Sequence, residues 1–285
     1  CGISSDHIIH INLESLRYRN LSDYLSFYDY VSARIPQLGR TYLIFDELQA
    51  VTHWEKAIES FRLDFDVDIY ITGSNAYLLS SEFSTLLSGR YVEIRMLPLS
   101  FKEFLTFYEF PADTSKEEKF QKYIQFGGMP ILREYEFNLT RSMQALEGIY
   151  ATVILRDILQ RHPQADQITL QKIVHFLCSN IGSLTSPNSI GNTLSHEKSM
   201  PQEKGRNVAS RTVEKYITML HNAFIFYAIG RYDIKGKELL KTLEKNYIID
   251  TGFHTLLLGY GAADRGHILE NIVFLELLRR DYRIY

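Results

Sequence analysis

Tyr42-Leu43-Ile44-Phe45-Asp46-Glu47 runs four apolar residues straight into two acids. An apolar run without polar alternation predicts a strand buried on both faces of a parallel sheet. Acids at the carboxyl end of such a strand stand where open α/β sheets place their ligands. Outward from this stretch the pattern alternates. Residues 7–13 read as a strand, 16–35 as a tyrosine-rich helical stretch closed by Pro36 and Gly39, 54–61 as a helix and 67–72 as a strand ending in Gly73-Ser74-Asn75. A helix over 76–87 then stops at Gly89, and 91–96 reads as a further strand. Such alternation predicts a parallel sheet with helices on its faces.

After Pro98 the reading is helical, with helices over 101–108, 116–126 and 143–159. Leu170, Ile173, Val174, Leu177 and Ile181 then follow the three-four spacing of a buried stripe. A short helix fits 189–194, a polar loop 195–207, and a helix 209–223. Residues 224–229 and 245–250 pair as a hairpin, so three helices and a hairpin predict a winged helix-turn-helix. The last helix covers about 268–280.

With 45% apolar and 23% charged residues, the chain has the composition of an ordinary soluble globular protein. Its net charge of −3 gives no overall electrostatic case for nucleic acid or membrane binding, although a local basic face remains open. Cys1 and Cys178 cannot build a disulfide framework, which fits a reducing cytoplasm, and Cys178 falls on an apolar stripe as a small buried hydrophobe. No signal peptide or bilayer-length apolar run is present. His162, His175, His196, His221, His254 and His267 show no zinc-ligand spacing. Cys1 in place of methionine, and the end at Tyr285 directly after a helix, look like cuts through a larger protein.

Each polar feature admits two readings. Asp46 and Glu47 are either solvated strand-end acids or, in phosphoryl transfer, a magnesium-side acid and a base for the attacking water. Thr72-Gly73-Ser74-Asn75 is either a turn with a helix cap or a polar group that holds that water or a γ-phosphate oxygen. Arg90 is either a helix-dipole partner or a cation for transition-state charge. On the 209–223 helix, Arg211, Lys215 and Thr218 are expected to point away from the core toward DNA, or the winged helix serves as a protein-interaction module, and Glu214 weakens the basic field.

Taken in series, these stretches resemble one family. Ile44-Phe45-Asp46-Glu47-Leu48-Gln49 with Trp54 is similar to the Walker B region of a prokaryotic AAA-type ATPase family. Ile71-Thr72-Gly73-Ser74-Asn75 resembles its sensor-1 strand. Ser88-Gly89-Arg90 followed by Leu97-Pro98-Leu99-Ser100-Phe101-Lys102-Glu103-Phe104 resembles its arginine and lid-entry signature, and Phe126-Gly127-Gly128-Met129-Pro130 a lid motif. Asn246-Tyr247-Ile248-Ile249-Asp250-Thr251-Gly252 and Leu269-Glu270-Asn271 resemble the domain of unknown function that accompanies this module.

The resemblance implies an α/β fold: an incomplete P-loop NTPase-like parallel sheet with helices on both faces, then a helical lid, a winged helix-turn-helix and the start of an α+β, nuclease-like domain. The expected divisions are 1–98, 99–163, 164–235 and 236–285. It implies ATP and Mg2+ as cofactors, Asp46 as the magnesium-side acid, Glu47 as general base, Asn75 with Ser74 as sensor, and Arg90 as a finger within the chain or on a neighbouring copy. Gln49 and Trp54 are expected to be structural or coupling residues. Partners implied are ATP, DNA through the winged helix, and a protein partner or second copy, with no membrane. The non-enzymatic alternative is a DNA- or protein-binding regulator that keeps the fold without turnover.

Three departures stand out. Gly-x-x-x-x-Gly-Lys-Ser/Thr is absent, so these residues alone are expected to bind ATP poorly, and its strand is expected to lie centrally in the sheet. The 195–207 stretch is long for its place. The nuclease-like region stops before its expected acid and lysine cluster, so Glu270, on a helix that could carry the first acid, is expected to be a solvated or capping residue instead.

Overall fold

The computed structural model describes residues 2–73, 90–152, 158–196, 208–233, 238–261 and 265–285. The sequence-predicted helix over 76–87, with Ser74 and Asn75, lies outside the described residues. The chain forms two compact units, residues 1–94 and 95–285.

The first unit is a three-stranded parallel sheet in the order β1 (Ile8–Asn12), β2 (Thr41–Asp46), β3 (Val67–Ile71). Two helices connect the strands, α1 (Tyr24–Ser32) and α2 (Trp54–Asp64). The expected helix over 16–35 is shorter, because Asp23 accepts from the Leu25 and Ser26 N–H groups and starts α1 there. Leu16–Tyr18 forms only a short 3-10 turn.

β2 is not buried on both faces. Thr41, Leu43 and Phe45 are buried, whereas Tyr42, Ile44 and Asp46 are half-exposed. Both helices pack on the Leu43 and Phe45 side, where Phe27, Phe45 and Phe61 make edge-on and tilted ring contacts. The opposite face carries Ile8, His10, Tyr42, Ile44, Asp46 and Tyr70, all half-exposed or exposed. Among the described residues, helices therefore cover one face and not two.

Residues 91–96 form no strand. A strand exists only where a neighbour takes its backbone hydrogen bonds. β3 pairs with β2 alone among the described residues, and Val92 and Ile94 are 88% and 73% exposed.

The second unit has one dominant core that runs from Phe104 to Ile268. Its first helices, α3 (Phe101–Phe107) and α4 (Lys116–Phe126), start with reciprocal capping boxes, Ser100 with Glu103 and Ser115 with Glu118. The helix expected over 143–159 begins earlier, as α5 (Leu139–Tyr150), because Asn138 caps it. Residues 153–157 lie outside the described set, and α6 (Ile158–Arg161) follows. Next come α7 (Gln167–Ser179), β4 (Leu184–Thr185), α8 (Pro187–His196), α9 (Ser210–Asn222), β5 (Phe226–Asp233) and β6 (Glu238–Ile248). These strands form an antiparallel sheet in the order β4-β6-β5, with Phe226 opposite Ile248. α10 (Thr251–Leu258) and α11 (Arg265–Arg279) close the chain.

One carboxylate ties distant parts of this unit together. Asp250, buried, caps α10 by accepting from Gly252 N–H and also accepts from Gly128 N–H at 2.6 Å. Gly127 ends α4 at φ 78°, and a Cβ there would fall 1.8 Å from Asp250 Oδ1. Gly128 lets the chain press on Leu99, whose carbonyl oxygen a Cβ would meet at 2.2 Å. The Gly127-Gly128 and Asp250 stretches, remote in sequence, thus meet at a single point.

Burial pushes the Asp250 carboxyl up to about 6, against the pull of three backbone N–H donors. A carboxyl raised in the folded state stabilises the fold when protonated. That contribution is full below the ordinary carboxyl range and is lost as pH rises through about 6. Asp250→Asn removes it. Relative to the variant, wild type should lose on the order of 3 kcal/mol of stability between about pH 4 and pH 7, read from paired denaturation series.

Candidate functional site

The site forms at the carboxyl ends of the three parallel strands. The register places Asn12 opposite Asp46 and Phe45 opposite Ile71, and the Thr72 N–H donates to Phe45 O at 2.9 Å. Asp46 therefore lies between the end of β1 and Thr72, on the face the helices leave open. Its Oδ1 accepts from the Thr72 hydroxyl at 2.8 Å, and its Oδ2 lies 2.7 Å from His10 Nε2. An ionised carboxylate only accepts, so His10 Nε2 carries the proton in this contact. The bond from His10, then that from Thr72, holds the Asp46 carboxyl below its ordinary value. Asp46 is thus a fixed anion.

Glu47 takes a left-handed backbone conformation, φ 55° and ψ 43°, and leads into a 3-10 turn at Leu48–Ala50. Left-handed glutamate is uncommon, and such positions cluster where a structure over-determines the local chain. Gln49 Nε2 donates to Glu47 Oε2, which makes Gln49 a brace for that carboxylate. Trp54 is 7% exposed, part of the core beneath the site.

Arg90 lies 3.6 Å from Glu59 of α2, both partners well exposed. Ser74 and Asn75 lie outside the described residues. Arg211, Lys215 and Thr218 are exposed along one side of α9, opposite buried Val213, Tyr216, Ile217 and Leu220, and Glu214 is exposed beside them. Glu270 is neither freely solvated nor a cap. Its Oε1 takes the Lys245 ammonium at 2.7 Å and the Tyr247 hydroxyl at 2.8 Å. Among the described residues, no three His, Cys, Asp or Glu gather into a metal-binding group, and no helix is long and apolar enough to cross a membrane.

His10 escaped the sequence reading. It precedes Asp46 by 36 positions, and only the strand register joins them. The signal available was alternation: residues 8, 10 and 12 share the face that carries residue 46.

Residues 3–105 match the family model for an AAA domain, and residues 117–264 match a domain of unknown function (DUF8612). The chain therefore belongs to the DUF8612 family, with an AAA domain matched ahead of that domain. An uncharacterized protein of Haemophilus influenzae is 39% identical over 285 residues, covering 99% of this chain and 69% of the relative. The uncharacterized protein MJ1544 of Methanocaldococcus jannaschii is 30% identical over 289 residues, covering 97% of this chain and 62% of the relative. The solved structure of the Aeropyrum pernix ORC1 protein in complex with DNA aligns over 96% of this chain and 78% of its own. Identity there is 12% and the TM-score 0.33, a slight likeness.

Thr72→Val removes one of the two hydrogen bonds on Asp46. The Asp46 carboxyl should then titrate at higher pH than in wild type, measured by carboxyl-carbon NMR. An unmoved titration would mean that the hydroxyl does not hold the anion.

Proposed function

We propose that this chain supplies the acidic, water-activating part of an ATPase site in the full-length protein, and that ATP hydrolysis there drives a conformational change. The observation that carries this reading is the Asp46 anion, fixed at the carboxyl end of β2 by its neighbours on both sides, with Glu47 next in the chain.

A hard cation suits this donor set. Asp46 offers carboxylate oxygen and Thr72 a hydroxyl, and Mg2+ prefers one or two carboxylates with water and substrate phosphate to an all-protein cage. Asp46 would hold Mg2+, which supplies charge neutralisation at the transferring phosphoryl group. Glu47 would accept the proton of the attacking water, with Gln49 bracing it. Ser74 and Asn75 keep the sensor role in this reading. Arg90 is the finger, within one chain or toward a second copy, and would leave Glu59 to act.

The phosphate loop is not in this sequence, so the cradle for ATP is assigned to residues outside it. Two features support a central strand there. Among the described residues β3 is paired along one edge only, and Tyr91, Val92 and Ile94 stand exposed in a segment that belongs to no strand. This chain spans 69% and 62% of the length of those two relatives.

A second reading concerns DNA. Helices α7, α8 and α9 with strands β4 to β6 have the order of a winged helix-turn-helix. Arg211, Lys215 and Thr218 lie along the open side of α9, where a recognition helix meets the major groove. The same surface on a protein without turnover would serve a regulator that binds DNA or protein.

In the full-length protein, Glu47→Gln should cut ATP hydrolysis by roughly 10²–10⁴-fold and leave ATP binding intact. Absence of hydrolysis in the unmutated full-length protein would sink the enzymatic reading. For the second reading, Arg211→Ala with Lys215→Ala should weaken duplex DNA binding across sequences and reduce the salt slope by about 2, one unit for each phosphate that is no longer neutralised. Unchanged affinity and slope would remove α9 from the interface.

A further inference from the structure

His10 has no packing reason to be where it is. Its side chain is 57% exposed, and it stands on the sheet face that neither helix covers. An exposed His–Asp contact adds little to folding. What the contact does is local. With Thr72 on Oδ1 and His10 on Oδ2, the Asp46 carboxylate can neither rotate nor turn aside. Carboxylates that hold cations depend on such bracing, and loss of a bracing partner typically weakens metal binding by about 10–100-fold.

We propose that His10 is a positioning residue for the cation that accompanies the nucleotide: it grips one oxygen of Asp46 so that the carboxylate meets Mg2+, or a water bound to it, without reorganising. This rests on the ATPase reading. The structural contribution belongs to β1, a strand that carries no residue of the expected catalytic set. Neutral His10 suffices, since the ring only has to donate its Nε2 proton. Glutamine can present an amide N–H at comparable reach, whereas alanine leaves the oxygen unheld.

The test uses the full-length protein and a fluorescent ADP analogue, titrated once in EDTA and once in excess Mg2+. His10→Ala should leave affinity in EDTA unchanged and reduce the gain in affinity that Mg2+ brings by about tenfold. His10→Gln should restore most of that gain. In hydrolysis assays, the alanine variant should need about tenfold more Mg2+ for half-maximal rate while its rate at saturating Mg2+ stays near wild type. The proposal is overturned if the alanine variant keeps the wild-type Mg2+ gain. An equal loss of affinity with and without Mg2+ also overturns it, because that marks a general structural role. Asp46→Ala separates the role of His10 from that of the site as a whole. If wild type shows a Mg2+ gain that Asp46→Ala abolishes and His10→Ala does not, only His10 is misassigned. If wild type shows no Mg2+ gain, the nucleotide reading falls with it.

Discussion

Parallel backbone pairing between β1, β2 and β3 is the constraint on which the site depends. The register carries Asn12, Asp46 and Thr72 to one end of the sheet and leaves His10 within reach of the carboxylate. None of these contacts exists without that register, because the side chains come from strands separated by long connections. A slip by one residue would turn Asp46 into the aromatic layer of Phe27 and Phe61 and bring Phe45 out. The buried Leu43 and Phe45 therefore do more than fill a core. They fix which way the acid faces.

In the second unit the comparable role falls to a buried carboxylate. Asp250 unites the start of α10 with the glycine pair after α4, across 122 positions of sequence. Its neighbours are arranged around it: glycines where a Cβ would collide, and backbone donors in place of a charged partner. An isolated buried anion is costly, and three N–H groups lower that cost without removing it. The result is one continuous body from α3 to α11, in which helices and antiparallel sheet share apolar surface.

Local features were legible in the sequence because local physics decides them. Helix α4 was readable over 116–126 because Gly127 stops it, at a positive φ that glycine takes without strain. The β2 and β3 strands were readable from apolar runs that break at acids or at glycine. The hairpin of β5 and β6 was readable from its two apolar segments. Features that depend on a partner were not. The 91–96 stretch has strand composition, but composition supplies no neighbour for its backbone. Coverage of one sheet face was invisible in Tyr42 and Ile44, which look as apolar as Leu43 and Phe45. The His10 and Asp250 contacts are questions of register and long-range packing, and no local pattern announces them. The left-handed turn at Glu47 is equally silent, since the residues that usually signal such a turn are glycine and asparagine.

The one-sided pairing of β3 among the described residues has a consequence for the chain's behaviour in company. A strand edge with unspent N–H and C=O groups accepts whichever extended segment reaches it first. Proteins that leave such edges open usually guard them with lysine, proline or a bulge. Here Asp68 is the one formal charge on the strand, and Arg40 already draws on it. Tyr70 on this strand is an exposed aromatic ring. Until the proposed central strand takes it, this edge would be where two copies most readily pair.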